Sequence, residues 1–179
     1  ERNPNLPPEA VEDIIMGCGN PEGAQGHNVG RNAAVLSNLP ITTGGTTINR
    51  YCSSGMQSIS MAASQIMAGC YDTVIAGGAE TISMMQGKQN MDNFVNERLA
   101  EKSPGIYYPM GMTAEVVAKR YNVSREAQDE YAFESQMRTA AAQQAGAYDD
   151  EIIPMETKML LMNKETGDSK EIDYCVAVS

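Results

Sequence analysis

Residues 48–81 read INRYCSSGMQSISMAASQIMAGCYDTVIAGGAET. A β-rich run from Thr43 to Tyr51, with threonines around Gly44-Gly45 and then Ile48, gives way at Cys52 to a helix predicted over Ser53 to Gly69. Gly69 is a natural stop, and Thr73-Val74-Ile75-Ala76-Gly77-Gly78-Ala79 reads as a short buried strand. Met56, Ile59, Ala63, Ile66 and Met67 form the expected apolar stripe of the helix. Cys52 falls where strand becomes helix, facing first-turn N–H groups and the positive end of the helix dipole. Both favour thiolate over thiol, making Cys52 the best nucleophile candidate. A small buried hydrophobe is the alternative use of such a cysteine.

Working outward, Pro7-Pro8-Glu9 predicts a short helix over Pro8 to Glu12. Asp13 to Gly19 predicts a buried strand, Asn20 to Gly26 a loop, and Asn28 to Leu39 a helix with His27 and Asn28 at its capping end. The alternation of helices and strands implies a mostly parallel sheet with right-handed crossovers, an α/β fold. Beyond Thr81 the pattern changes. Met110 to Tyr121 and Arg125 to Ala145 read as helices, the second opened by Ser124 and stopped by Gly146, with Val116, Val117, Tyr131, Phe133 and Met137 expected to pack together. Ile152 to Leu161 has strand character, and Glu165 to Lys170 is a turn. Three segments result: an α/β core over 1–81, a helical insertion over 82–150 and a return segment over 151–179.

Bulk properties narrow the function. The 179 residues carry a formal net charge of -10, which argues against nucleic acid as partner. Arg31, Arg50, Lys88, Arg98 and Lys102 are candidates for holding a phosphate-bearing substrate but too scattered to assign. Four cysteines without a C-x-x-C pair, and a single histidine, His27, give poor support for zinc or any metal. Low cysteine density suggests reduced thiols, with Cys18, Cys70 and Cys175 structural. The uncharged run Tyr51 to Tyr71 contains five serines, two glutamines and two glycines, so it reads as a helix buried in protein, not a membrane span. Cytoplasm is the expected location, with mitochondrion or peroxisome as alternatives.

Asn49-Arg50-Tyr51-Cys52-Ser53-Ser54-Gly55 resembles the nucleophile motif of the thiolases. Gln57-Ser58-Ile59, Ala76-Gly77-Gly78-Ala79-Glu80 and Met110-Gly111-Met112-Thr113-Ala114-Glu115 match in order and spacing. Arg125 to Asp129 looks most like the acetyl-CoA C-acyltransferases and acetyltransferases. The resemblance implies a layered fold with a helical loop domain that cradles coenzyme A. It implies acyl transfer through a Cys52 acyl-enzyme, with CoA thioesters as substrates and no cofactor beyond CoA itself as substrate. Met110 matches a residue beside the acyl pocket, and Pro109 stands where several relatives place a histidine near CoA. The family works as homodimers or homotetramers, with the strand leading to Cys52 at the dimer interface.

By the same resemblance, the base in a Gly-His-Pro motif, the acid in a Cys-x-Gly motif and an oxyanion-hole asparagine belong to the C-terminal half of the family. His27 matches none of these positions. The family's first strand, central in its N-terminal sheet, is also missing. The chain is therefore expected to be an incomplete thiolase with a gap in its sheet, unable to fold stably alone because ladder groups would lie unpaired. A ketoacyl synthase-type condensing enzyme and an inactive dimerisation or binding module are the alternatives.

Overall fold

The computed structural model describes residues 3–176, in two compact units that divide between Phe94 and Val95. The first unit is built on three parallel strands, β1 (Asp13–Gly17), β2 (Thr46–Ile48) and β3 (Val74–Gly78), in the order β2-β1-β3. The expected gap is absent. β1 is the central strand, pairing Ile15 with Thr46 on one side and Asp13 with Val74 on the other. The ladder continues past the strand ends, where Cys18 N–H donates to Ile48 O at 2.9 Å and Ala79 N–H to Gly17 O at 3.0 Å. The centre of the sheet is filled by β1 itself, so its backbone groups are paired on both edges.

Period-2 alternation sends the side chains of β1 to both faces of the sheet. Ile14 joins Val11 and Ala34, with Met16 and Leu39 packed against them, on the face covered by α1 (Val29–Leu36). Gly17 lies on the other face, against α2 (Ser54–Met67). A strand covered on both sides needs no polar alternation, which is why Asp-Ile-Ile-Met-Gly reads as a continuous buried run.

α1 is capped by Asn28, as expected, and ends at Leu36, short of the expected Leu39. The Asn28 carboxamide oxygen accepts from Arg31 N–H at 3.0 Å and from the Thr47 hydroxyl at 3.0 Å, and its Nδ2 donates to Gly45 O at 2.8 Å. One side chain thus caps α1 and ties it to β2. Asn28→Ala removes the cap and both ties, so the urea midpoint should fall by an amount equivalent to about 2 kcal/mol. A change below about 0.5 kcal/mol would show that the cap contributes nothing. His27, beside it, is exposed and has φ +63°.

α2 corrects the sequence reading most sharply. Its buried residues are Ser54, Ser58 and Ala62, one face at i, i+4, i+8. The predicted stripe points away from the sheet: Met56 is 77% and Met67 88% exposed. Small residues win the sheet side because the backbones come close. The fully buried Ser58 hydroxyl bonds Gly55 O at 2.7 Å and Gly77 O at 2.8 Å, tying helix to β3. α2 is therefore a half-covered helix, not a buried one.

The second unit contains α4 (Glu97–Lys102), α5 (Met110–Tyr121), α6 (Arg125–Gln144) and a hairpin of β4 (Met155–Met162) and β5 (Ser169–Val176); α3 (Ile82–Met85) precedes it in the first unit. α4 and α6 are capped by Asn96 and Ser124, and α5 ends at Asn122 in the left-handed region. α6 also carries the i,i+4 ion pairs Arg125–Asp129 and Glu134–Arg138. No residue of α5 or α6 is buried, so Val116, Val117, Tyr131, Phe133 and Met137 do not form the expected cluster. Tyr131 and Phe133 are two residues apart and project to opposite sides of one helix. β5 extends past the expected turn and pairs antiparallel with β4 from Met155↔Val176 to Met162↔Ser169. Among the described residues, no helix is long and apolar enough to cross a membrane.

Candidate active site

The three parallel strands deliver their C-terminal ends to one edge of the sheet, where open α/β sheets place their ligand sites. An open cleft of about 440 Å³ lies there, lined by Gly17, Gly19 and Asn20 at and after the end of β1, Tyr51, Cys52, Ser54 and Gly55 after β2, and Gly78, Ala79, Glu80 and Ile82 at and after β3. Cys52 is an exposed free thiol on this cleft.

The turn that carries Cys52 is tightly specified. Tyr51 has φ +48°, a left-handed conformation that non-glycine residues adopt at a cost. Ser54 holds it: its hydroxyl donates to Tyr51 O at 2.6 Å and accepts Arg50 N–H at 2.9 Å. Tyr51 N–H donates to Asn49 Oδ1 at 2.8 Å, and Ser53 and Ser54 N–H groups donate to Arg50 O and Tyr51 O. Ser53 is the helix cap, so Cys52 stands one residue ahead of the cap, with the first-turn amides of α2 behind it. Such a turn presents a nucleophile at the tip of a strained bend, beside backbone donors suited to a developing oxyanion.

Gly17 makes the close approach possible. A Cβ there would lie 2.3 Å from the Ser54 carbonyl carbon and 2.5 Å from Gly55 N, so any side chain drives α2 off the sheet. In the cleft lining, Glu80 accepts Gly19 N–H at 2.6 Å and Gln25 Nε2 at 2.6 Å, and Cys18 Sγ lies 3.9 Å from it. Cys18 is 1% exposed. Burial pushes its thiol up from the ordinary range, a hydrogen bond with the Asn20 backbone works the other way, and the Glu80 charge adds to the rise. Cys18 is thus the buried thiol expected, whereas Cys70 and Cys175 are exposed rather than packed. At about pH 8, iodoacetamide should label Cys52 at least about 100-fold faster than Cys18, which becomes reactive on unfolding. Peptide mapping of the alkylated protein checks this, and equal rates would contradict it.

Met110 is the exposed first residue of α5, following Pro109, in the second unit. Among the described residues no group of three or more His, Cys, Asp or Glu is placed to hold a metal ion. The residues that sequence reasoning overlooks are Gly19, Asn20, Gln25 and Ile82. Gln25 and Asn20 read only as part of a loop; Gln25 carries no local mark because its partners Glu80 and Thr81 lie on a distant stretch of chain, and Asn20 takes part only through its backbone carbonyl, which accepts Gln25 Nε2.

The family model described as thiolase, N-terminal domain, matches residues 1–174. The chain belongs to the thiolase family. It is 51% identical over 148 residues to a 3-ketoacyl-CoA thiolase of Bacillus subtilis (strain 168), covering 82% of this chain and 37% of that protein. It is 40% identical over 174 residues to a beta-ketoadipyl-CoA thiolase of Escherichia coli, covering 88% and 43%. It is 38% identical over 179 residues to an acetyl-CoA acetyltransferase of Chromobacterium violaceum, covering 93% and 44%. The crystal structure of the Bacillus anthracis acetyl-CoA acetyltransferase superposes with TM-score 0.70 at 32% identity, covering 95% of this chain and 43% of that one. The chain therefore spans less than half the length of these thiolase relatives, and the α/β fold read from the sequence is the thiolase fold.

Proposed function

We propose that Cys52 is the acyl-accepting nucleophile of a CoA-dependent thiolase. The observation that supports this most directly is the exposed thiol on a strained turn, opening into a cleft beside the N-terminus of α2. In the cleavage direction the Cys52 thiolate adds to the keto carbon of a 3-ketoacyl-CoA, forming a C–S bond, while the carbonyl electrons move to oxygen. Collapse restores the carbonyl and breaks the bond between the keto carbon and its neighbour. That electron pair takes a proton from a general acid, and acetyl-CoA leaves. Free CoA then gives its proton to a base and attacks the thioester, expelling the Cys52 thiolate. Run backwards, the sequence is a Claisen condensation.

Amides at the start of α2 beyond Ser54, whose N–H is spent on Tyr51 O, are the proposed donors for the oxyanion. The cleft around Cys52 has no histidine lining it among the described residues. With the chain spanning 37–44% of the relatives named above, we assign the base and the acid to family regions outside the matched part. Met110 is proposed, on the family resemblance alone, as a substrate-binding residue. Coenzyme A enters as substrate, and the scheme requires no cofactor or metal. Homodimers or homotetramers are the proposed assembly, supported by the edge position of β2 directly before the Cys52 turn, and cytoplasm is the proposed compartment.

The test is acetoacetyl-CoA added to the complete protein, with intact-mass and peptide mapping of quenched samples. An acetyl group on Cys52, discharged to acetyl-CoA by added CoA, is the expected result. An unacylated Cys52 in protein that turns over would overturn the assignment.

A further inference from the structure

Gln25 is 4% exposed and spends both ends of its carboxamide on backbone and acid. Its Nε2 donates to Asn20 O at 2.9 Å and to Glu80 Oε1 at 2.6 Å, while its Oε1 accepts the Thr81 N–H. Glu80, so held, accepts the Gly19 N–H at 2.6 Å through its other oxygen. The two segments thereby joined follow β1 and β3, and both line the Cys52 cleft through Gly19, Asn20, Glu80 and Ile82. Gln25 itself is not on the cleft surface. Neighbouring contacts reinforce the clamp. Met85 of α3, 1% exposed, packs its side-chain tip over Gly23, whose φ of +53° disfavours any other residue.

We propose that Gln25 is a positioning residue for acyl transfer, acting through Glu80 to fix the cleft walls across from the Cys52 turn. The inference rests on the assignment of Cys52 as acyl acceptor. The physical argument is one of independence. The Cys52 turn is held by Ser54 and Asn49, with no bond to Gln25. Loosening the clamp therefore acts on the walls and leaves intact the hydrogen bonds that hold the turn carrying the sulfur. A reagent that needs only an accessible thiol is insensitive to Gln25, whereas a ketoacyl-CoA, whose reacting carbon must be held against sulfur, is not.

The experiment compares two rates at Cys52 in the complete protein: alkylation by iodoacetamide and acylation by acetoacetyl-CoA. Gln25→Met keeps the volume and removes all three hydrogen bonds. Acylation should fall about 10- to 100-fold while alkylation changes by less than about twofold. Parallel loss of both rates, or of neither, overturns the proposal. Gln25→Glu sets two carboxylates against each other, and adding Glu80→Gln restores an acid–amide pair with the roles exchanged. The double variant should acylate at least about fivefold faster than Gln25→Glu alone, and no recovery counts against the clamp. Amide exchange in the unmutated protein gives an answer independent of how variants fold: Gly19 and Thr81 should be protected at least about tenfold, and unprotected amides there refute the clamp. If the unmutated protein is alkylated but never acylated at Cys52, the assignment of Cys52 fails, and amide exchange still decides the clamp.

Discussion

Cys52→Ala lowers acetoacetyl-CoA thiolysis by at least about 10⁴-fold, equivalent to about 5.5 kcal/mol of lost transition-state stabilisation. The size follows from what the sulfur does. In the proposed scheme it forms the bond that replaces a carbon–carbon bond, and the alternative, direct attack of CoA on the ketone, has no positioned nucleophile. Backbone donors of α2 remain in the variant, so a residue of oxyanion stabilisation persists, but no acyl-enzyme forms. Cys52→Ser keeps the turn and places a weaker nucleophile in the same spot, so it should also fall by at least about 10³-fold. Folding is not the cause in either variant, because Cys52 is exposed and the turn is pinned by Ser54 and Asn49. Unchanged urea midpoints together with lost turnover establish the chemical role. Turnover within tenfold of the parent would remove Cys52 from the mechanism.

The legibility of this chain depends on whether a pattern is local. Asn28 and Ser124 read correctly as helix starts because a cap needs only its own first turn. Met110 to Tyr121 is right to the residue, its start following Pro109 and its end set by Asn122 in the left-handed region. β1 is legible because burial on both faces leaves an uninterrupted apolar run, yet its central place in the sheet is not, since pairing partners are a property of the fold. α2 is legible as a helix but not in its orientation. Its apolar stripe reads as the packed face, but the sheet is approached through Ser54, Ser58 and Ala62, where closeness of backbones outweighs side-chain hydrophobicity. β5 escapes because both faces of the hairpin are largely exposed, which imposes no alternation on Ser169–Val176. At the site, Cys52 is marked by its place between strand and helix. Gln25 is invisible, since its bonds to Glu80 and Thr81 span 55 and 56 positions of sequence.

Gly17→Ala should be the most damaging change of a single small residue in the first unit, and it links fold to chemistry. The added Cβ would sit 2.3 Å from Ser54 C and 2.5 Å from Ser54 O and Gly55 N, all backbone atoms that no rotamer change can move. Ordinary contact distances lie near about 3.5 Å, so α2 must retreat from β1 by about 1 Å at its first turn. That retreat stretches the Ser58 hydroxyl bond to Gly77 O, at 2.8 Å, and opens a gap above the sheet. Overpacking of this kind costs about 3 kcal/mol, read as a lowered urea midpoint. The Cys52 turn is bonded to Ser54, so it travels with the helix while the walls after β1 and β3 stay with the sheet. A displacement of about 1 Å between nucleophile and walls costs about 100-fold in acylation. The two losses separate by titration with stabilising osmolyte, which restores the folded fraction and leaves the displaced geometry as it is. Recovery of full acylation under those conditions would show that Gly17 serves stability alone. Persistence of the deficit in fully folded protein assigns to this glycine the seating of Cys52 in its cleft.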